Sequence, residues 1–207
     1  MCYDTSSPDL KGENETLQKF TAKDTRSHLP MKISFLLQQR FWPFREREDY
    51  MGKIFRFHKD VDTDQILASQ YLLYPTIDEM KTHAFESLNS EFAANVKPGD
   101  FVVADENFGC GSSREQAPSV LKALGVKAVI AKSFARIFYR NSINIGMPVI
   151  VSKELYDVVA DGDEMELDLE KGVITAAGKT YSCTRLPARM QEILDQGGLI
   201  ASLNKED

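Results

Sequence analysis

The chain has 207 residues, 43% of them hydrophobic, with 25 Lys and Arg against 31 Asp and Glu and a net charge of −6 at pH 7. That length suits one globular domain with a proper core plus a tail, and is too short for two large domains. The acidic balance gives no reason to expect a nucleic-acid surface, and no apolar run approaches the roughly 18 residues of a membrane helix or the h-region of a secretory leader, so a cytoplasmic protein with small-molecule or protein partners is expected.

Residues 1–50 are polar, with eight Lys and Arg against eight Asp and Glu, and show no sustained helical or strand period. They read as a poorly ordered N-terminal extension, in which Phe41, Trp42 and Phe44 around Pro43 form a short aromatic cluster. Met31 and Met51 are further candidate starts. From Met51 to residue 207 the pattern is that of one domain. Lys53 to Phe57 alternates as a strand does, and Phe101 to Ala104 follows the turn signal Pro98-Gly99-Asp100. Residues 118–124 read as a helix ended by Gly125, Ala128 to Ala131 as a buried strand, Ser133 to Ile145 as a helix ended by Gly146, and Pro148 to Val151 as a strand. This alternation predicts an α/β core with parallel pairing. Met165 to Leu169, Val173 to Thr175 and Lys179 to Cys183 predict a meander turning at Lys171-Gly172, and Pro187 opens a terminal helix that ends at Gly197-Gly198.

The chemistry concentrates in residues 107–118, Asn-Phe-Gly-Cys-Gly-Ser-Ser-Arg-Glu-Gln-Ala-Pro, directly after a predicted strand. Gly109 and Gly111 allow a tight turn that brings backbone N–H groups to an anion, and Arg114 adds a bidentate carboxylate binder. A plainer explanation competes, because Ser112 and Glu115 have the spacing of a capping box. Pro118 argues against it, since a proline six positions past the cap clashes with the preceding turn; a helix starting at Pro118 would leave 112–117 as an irregular loop. The three cysteines, Cys2, Cys110 and Cys183, are odd in number and scattered, which fits neither a disulfide framework, nor a zinc site, nor the grouped thiolates of a [4Fe–4S] cluster. Cys110 reads as a packed neutral thiol, and His58 and His83 as ordinary surface or half-buried histidines.

Gly109 to Pro118 resembles the active-site loop of aconitase-superfamily swivelling domains, in the form found in isopropylmalate dehydratase small subunits. Asp60 to Ile66 resembles the family's Asp-Thr-Asp segment. Lys132 to Phe138, with Arg140-Asn141 and Asn144 to Pro148, resembles its second long motif. The likeness runs from Met51 to the C-terminal region in the family's order and leaves residues 1–50 without a counterpart.

The resemblance implies an α/β swivelling domain of three layers (β/β/α) acting as one subunit of a hydro-lyase, with no cofactor on this chain. A [4Fe–4S] cluster is expected on a partner large subunit, where it acts as Lewis acid. Ser112 is implied to be the catalytic base, with Gly111, Ser113 and Arg114 binding a substrate carboxylate. Asp62 and Asp64 are implied to support active-site groups, a role that competes evenly with a helix cap or Asx-turn. Gln116 stands where many relatives carry His, which argues against an imidazole there. After the Asp-Thr-Asp segment runs Tyr71-Leu72-Leu73-Tyr74-Pro75. In homoaconitase-like subunits an arginine after Tyr-Leu is expected to meet an extra carboxylate, and Leu73 stands at that position. An apolar side chain suits a branched alkyl group, so an alkylmalate such as 3-isopropylmalate is the expected substrate, unless Leu73 merely packs in the core. The competing readings are 2,3-dimethylmalate dehydratase, homoaconitase, and a non-catalytic anion-binding swivelling module.

Overall fold

In the computed structural model, residues 51–204 are described; the expected extension, with its aromatic cluster and Met31, lies outside the described residues. Seven strands build one mixed sheet: β1 Gly52–Phe57, β2 Phe101–Ala104, β3 Ala128–Ala131, β4 Val149–Val151, β5 Glu164–Asp168, β6 Val173–Ala176 and β7 Lys179–Ser182, in the order β4-β3-β2-β1-β5-β6-β7. β1 to β4 run parallel, while β5 to β7 form an antiparallel meander joined to β1. The mixed α/β fold expected from the sequence is therefore present.

Burial explains the two halves. β2 and β3 are continuous apolar runs, Phe-Val-Val-Ala and Ala-Val-Ile-Ala, with every residue buried, as parallel strands need when both faces are covered. β5 and β6 alternate buried with more exposed positions, the signature of a half-solvated sheet, and β7 shows Lys179 and Thr180 to water, which blunts the edge. The halves meet at Gly52, paired with Met165; a Cβ there would lie 2.2 Å from the Gly99 carbonyl, so only glycine lets β1 approach the turn before β2. Phe57, Phe85 and Phe92 form an aromatic knot beside β1, with Phe57 stacked on Phe85 at 4.0 Å. Fully burying each such ring stabilises the fold by on the order of 1.5–3 kcal/mol.

The helices are α1 Thr63–Ile66, α2 Ile77–Met80, α3 Phe92–Asn95, α4 Gln116–Ala123, α5 Arg136–Asn144, α6 Leu155–Val158, α7 Ala188–Asp195 and α8 Leu199–Leu203, with 3-10 turns at Ser69–Leu73 and Lys81–His83. Two boundaries differ from expectation. The helix read from Ser133 starts only at Arg136, because Phe134 is extended and bridges to Phe108. The helix read from Pro118 starts at Gln116, two residues earlier, and the proline occupies its first turn, where a missing N–H costs no intrahelical bond. Among the described residues no helix is long and apolar enough to cross a membrane.

Candidate active site

Four parallel strands deliver their carboxyl ends, and the loops that follow, to one edge of the sheet, the usual place for a ligand in an open α/β sheet. The loop after β2 is fastened on both sides. Toward β1, Gly109 N–H donates to the Val61 carbonyl at 2.8 Å and Thr63 N–H to the Cys110 carbonyl at 2.9 Å. Toward β3, Phe108 N–H donates to Ser133 O at 3.0 Å, Ala135 N–H to Phe108 O at 2.9 Å, and Asn107 N–H to Ser133 Oγ at 2.8 Å. Gly109, at φ 76°, lies flat on Phe138: a Cβ would sit 2.2 Å from that ring. Gly111, at φ 94°, lies over Thr63, whose Oγ1 would be 3.3 Å from an added Cβ. Gly109 has no room for a side chain, and at Gly111 the left-handed backbone disfavours one, which is why the loop reads Gly-Cys-Gly.

These anchors leave Ser112 and Ser113 exposed at the loop's crest. Buried Thr63 sits directly beneath, its Oγ1 donating to the Ser112 carbonyl at 3.2 Å and lying 3.3 Å from Ser112 Oγ. The competing capping box between Ser112 and Glu115 does not form. Glu115 is itself the cap residue of α4, without a side-chain cap bond, and residues 111–115 are irregular. Among the described residues, the backbone N–H groups of Ser112 and Ser113 have no acceptor within the protein, so both are available to an anion.

The Asp-Thr-Asp segment divides its two carboxylates between two jobs. Asp62 caps α1 in a reciprocal box: its Oδ1 accepts Gln65 N–H at 2.7 Å while Gln65 Oε1 accepts Asp62 N–H at 3.0 Å. Asp64 instead reaches Arg114, with Nη1 to Oδ1 at 2.5 Å and Nη2 to Oδ2 at 3.0 Å, a bidentate fork. Ser69 Oγ both donates to Asp64 at 2.6 Å and accepts from Arg114 at 3.0 Å, and the Leu67 carbonyl takes a further bond from Nη1 at 3.3 Å. The hydrogen bonds from Arg114 and Ser69 hold the Asp64 carboxyl below its ordinary range. Arg114 is thus 17% exposed and firmly aimed.

Leu73 is 87% exposed, which removes the alternative that it packs in the core; Leu72 beside it does pack against the core. A concavity of about 320 Å³ separates this segment from Asp64, walled by Tyr71, His83 and Glu86. His83 stacks on Tyr71 at 3.8 Å and lies 3.1 Å from Glu86, while the Tyr71 hydroxyl bonds Glu86, pushing the phenol up and the carboxyl down. His83 is half-buried and His58 exposed, as expected of ordinary histidines. Gln116 opens α4.

Thr63 and Ser69 were not singled out in the sequence. Thr63 stands inside a recognisable segment, but its contact with Ser112 spans 49 positions; Ser69 lies five residues past Asp64 and acquires meaning only when Arg114 arrives from across the sheet. Burial pushes the thiols of Cys110 and Cys183 up, the reverse of what a ligating thiolate needs, and among the described residues no group of three His, Cys, Asp or Glu is placed to hold a metal ion. These donors do not fit an iron–sulfur cluster.

A mixed sheet bearing a Gly-Cys-Gly-Ser-Ser-Arg loop at the carboxyl edge of its parallel half defines a class, and residues 51–154 match the aconitase C-terminal domain family, to which the chain belongs. Within it the chain is similar to small subunits of one enzyme. It is 55% identical over 152 residues to 3-isopropylmalate dehydratase small subunit 1 of Archaeoglobus fulgidus, covering 72% of this chain and 94% of that protein. It is 50% identical over 155 residues to the 3-isopropylmalate dehydratase small subunit of Aquifex aeolicus, covering 73% and 92%. The crystal structure of 3-isopropylmalate dehydratase from Methanocaldococcus jannaschii superposes with a TM-score of 0.72 at 46% identity, covering 75% of this chain and 93% of that one.

Proposed function

We propose that this chain is the small subunit of a 3-isopropylmalate dehydratase, a hydro-lyase subunit that interconverts 2-isopropylmalate and 3-isopropylmalate by dehydration and rehydration in leucine biosynthesis, in the cytoplasm. The observation that carries the reading is the doubly fastened loop presenting Ser112, Ser113 and Arg114 together, in a chain about half identical to small subunits so named. The partner is a large subunit, whose [4Fe–4S] cluster supplies the Lewis acid for the departing hydroxyl.

Ser112 takes the proton from the carbon next to the hydroxyl-bearing one. A serine does this only if the alkoxide is stabilised; Thr63 Oγ1 lies 3.3 Å from Ser112 Oγ and can turn its hydroxyl from the Ser112 carbonyl to that oxygen, beside a loop whose Ser112 and Ser113 N–H groups have no acceptor among the described residues. Covering the crest with the partner excludes water and strengthens each of these interactions. Arg114 binds a substrate carboxylate together with Ser113, the absence of side chain at Gly111 leaving room for it. Asp64 and Ser69 hold the guanidinium in plane; their bonds use Nη1 and Nη2 and none involves Nε. Asp62 acts one step back, fixing the turn from which Thr63 and Asp64 project. Leu73, an apolar side chain already in water, reads the branched alkyl group; opposite an extra carboxylate it would leave a charge desolvated and unpaired.

Reconstitution of the pair under anaerobic conditions, followed by assay against 3-isopropylmalate, 2,3-dimethylmalate and homocitrate, tests the proposal. Preference for 3-isopropylmalate is expected. Preference for homocitrate would overturn the role of Leu73, and a complete lack of lyase activity with every cluster-bearing candidate would favour an anion-binding module.

A further inference from the structure

A second concavity, of about 410 Å³, opens where β3 and β4 end, and its walls carry Lys132, Arg136, Arg140 and Lys153 beside Phe134 and Tyr139. Four cations round one cleft in a chain of net charge −6 call for a reason. Lys132 has one within the fold, since Asp105 at 3.0 Å and Asp157 at 2.7 Å hold it. Lys153 donates to the Lys132 carbonyl at 2.8 Å and, among the described residues, has no carboxylate partner. Arg136 and Arg140 are exposed, one turn apart on α5, and among the described residues neither guanidinium has a hydrogen bond or an ion pair. Arg136 is moreover the first residue of α5, where its charge opposes the helix dipole, and no side chain caps that end. The fold thus keeps cations where its own stability would favour an acidic residue.

We infer that the outer face of α5, with Lys153, is the docking surface for an acidic segment of the partner large subunit. The inference rests on the functional reading above. Three observations favour a protein over a small anion. Ile137, between the two arginines, is 49% exposed, and an apolar side chain flanked by arginines is typical of protein interfaces. The opposite face of the helix is the one that supports the catalytic loop, through Phe138 under Gly109 and in edge contact with Phe108. The cleft also shares the carboxyl edge of the sheet with Ser112, the edge a partner has to cover in order to complete the site. Docking on the outer face of α5 therefore seats the partner against the element on which the loop rests.

The test titrates the full chain, its R136E/R140E double variant and its R136K/R140K counterpart against the purified large subunit at low and high salt. Charge reversal is expected to weaken association about 10- to 100-fold at low salt and to flatten its salt dependence, while the lysine pair stays within about threefold of the unaltered chain. The melting temperature of the reversed variant should be equal or higher, because Arg136→Glu places an acidic residue at a helix N-terminus; that separates lost docking from lost folding. Lys153→Glu should weaken association in the same direction. Association of the reversed variant within about twofold of the unaltered chain, with the same salt slope, overturns the inference alone. Failure of the unaltered chain to bind any large subunit overturns the functional reading, and the inference with it. Salt-sensitive capture of RNA at this cleft, with partner affinity unchanged on reversal, also overturns the inference.

Discussion

The parallel and antiparallel halves of the sheet are built from strands of similar length, yet only one carries the proposed active site. Every residue of the proposed active site lies on the connections between β1 and β3, and the family match, residues 51–154, ends just past β4. The meander of β5 to β7 lies outside that match. The difference is one of connection. Parallel strands require long crossovers, which bring several distant loops to one edge, whereas the meander closes with short hairpins such as Ala177-Gly178, both at positive φ. Here the connections after β1 and after β2, which supply the groups of the proposed site, reach the same edge for that reason.

Ser112→Ala puts the strongest strain on this comparison. It should reduce turnover of the assembled enzyme by about 10³-fold while leaving partner affinity unchanged; near-normal turnover in a steady-state assay would reduce the loop to a structural turn. Next in size, Arg114→Lys should lower kcat/KM by about 10²-fold, because an ammonium cannot reproduce the fork that Asp64 and Ser69 hold in plane. Leu73→Arg should then shift preference from alkyl-bearing toward additional-carboxylate substrates by about tenfold, read as the ratio of kcat/KM values for isopropylmalate and homocitrate.

A smaller effect comes from acid. The Asp64 carboxyl is held below its ordinary value by Arg114 and Ser69, so its contribution to stability is present above the unfolded value of about 4 and is lost as pH falls through the lower folded one. Asp64→Asn should therefore flatten the fall in melting temperature between pH 5 and 2, and an unchanged slope would mean that the pair adds nothing in solution. Smallest of all, Thr180→Ala on the exposed edge of the meander should move stability by less than about 0.5 kcal/mol and leave kinetics untouched. A kinetic effect there would end the division of labour between the halves.

Much of the architecture was legible because it depends on local pattern. The all-apolar runs of β2 and β3 imply two covered faces, and the glycines at 109 and 111 announce positive φ before any contact is known. The motif segments carried the resemblance, and through it the placing of Ser112 and Arg114. Where local rules competed, they could not decide. The Ser112–Glu115 spacing is a capping box in form, but the helix begins only at Gln116, behind a loop fastened to Val61, Thr63 and Ser133, and the box does not form. The same limit applied to the aspartates, since a carboxylate caps a helix or grips an arginine with equal chemistry. Asp62 does the first because Gln65 is three residues away; Asp64 does the second because Arg114, 50 positions on, is brought to it across the sheet.

By itself, then, the sequence determined the strands, the sharp turns and the residue types able to bind a carboxylate, all of which follow from periodicity and from steric limits on φ. Tertiary structure alone decided that Thr63 lies under Ser112, that Leu73 stands in water, and that Arg136 and Arg140 share an outward face of the helix whose inner face supports the loop. Those facts depend on contacts between segments tens of residues apart, and it is the packing of the crossovers that sets such distances.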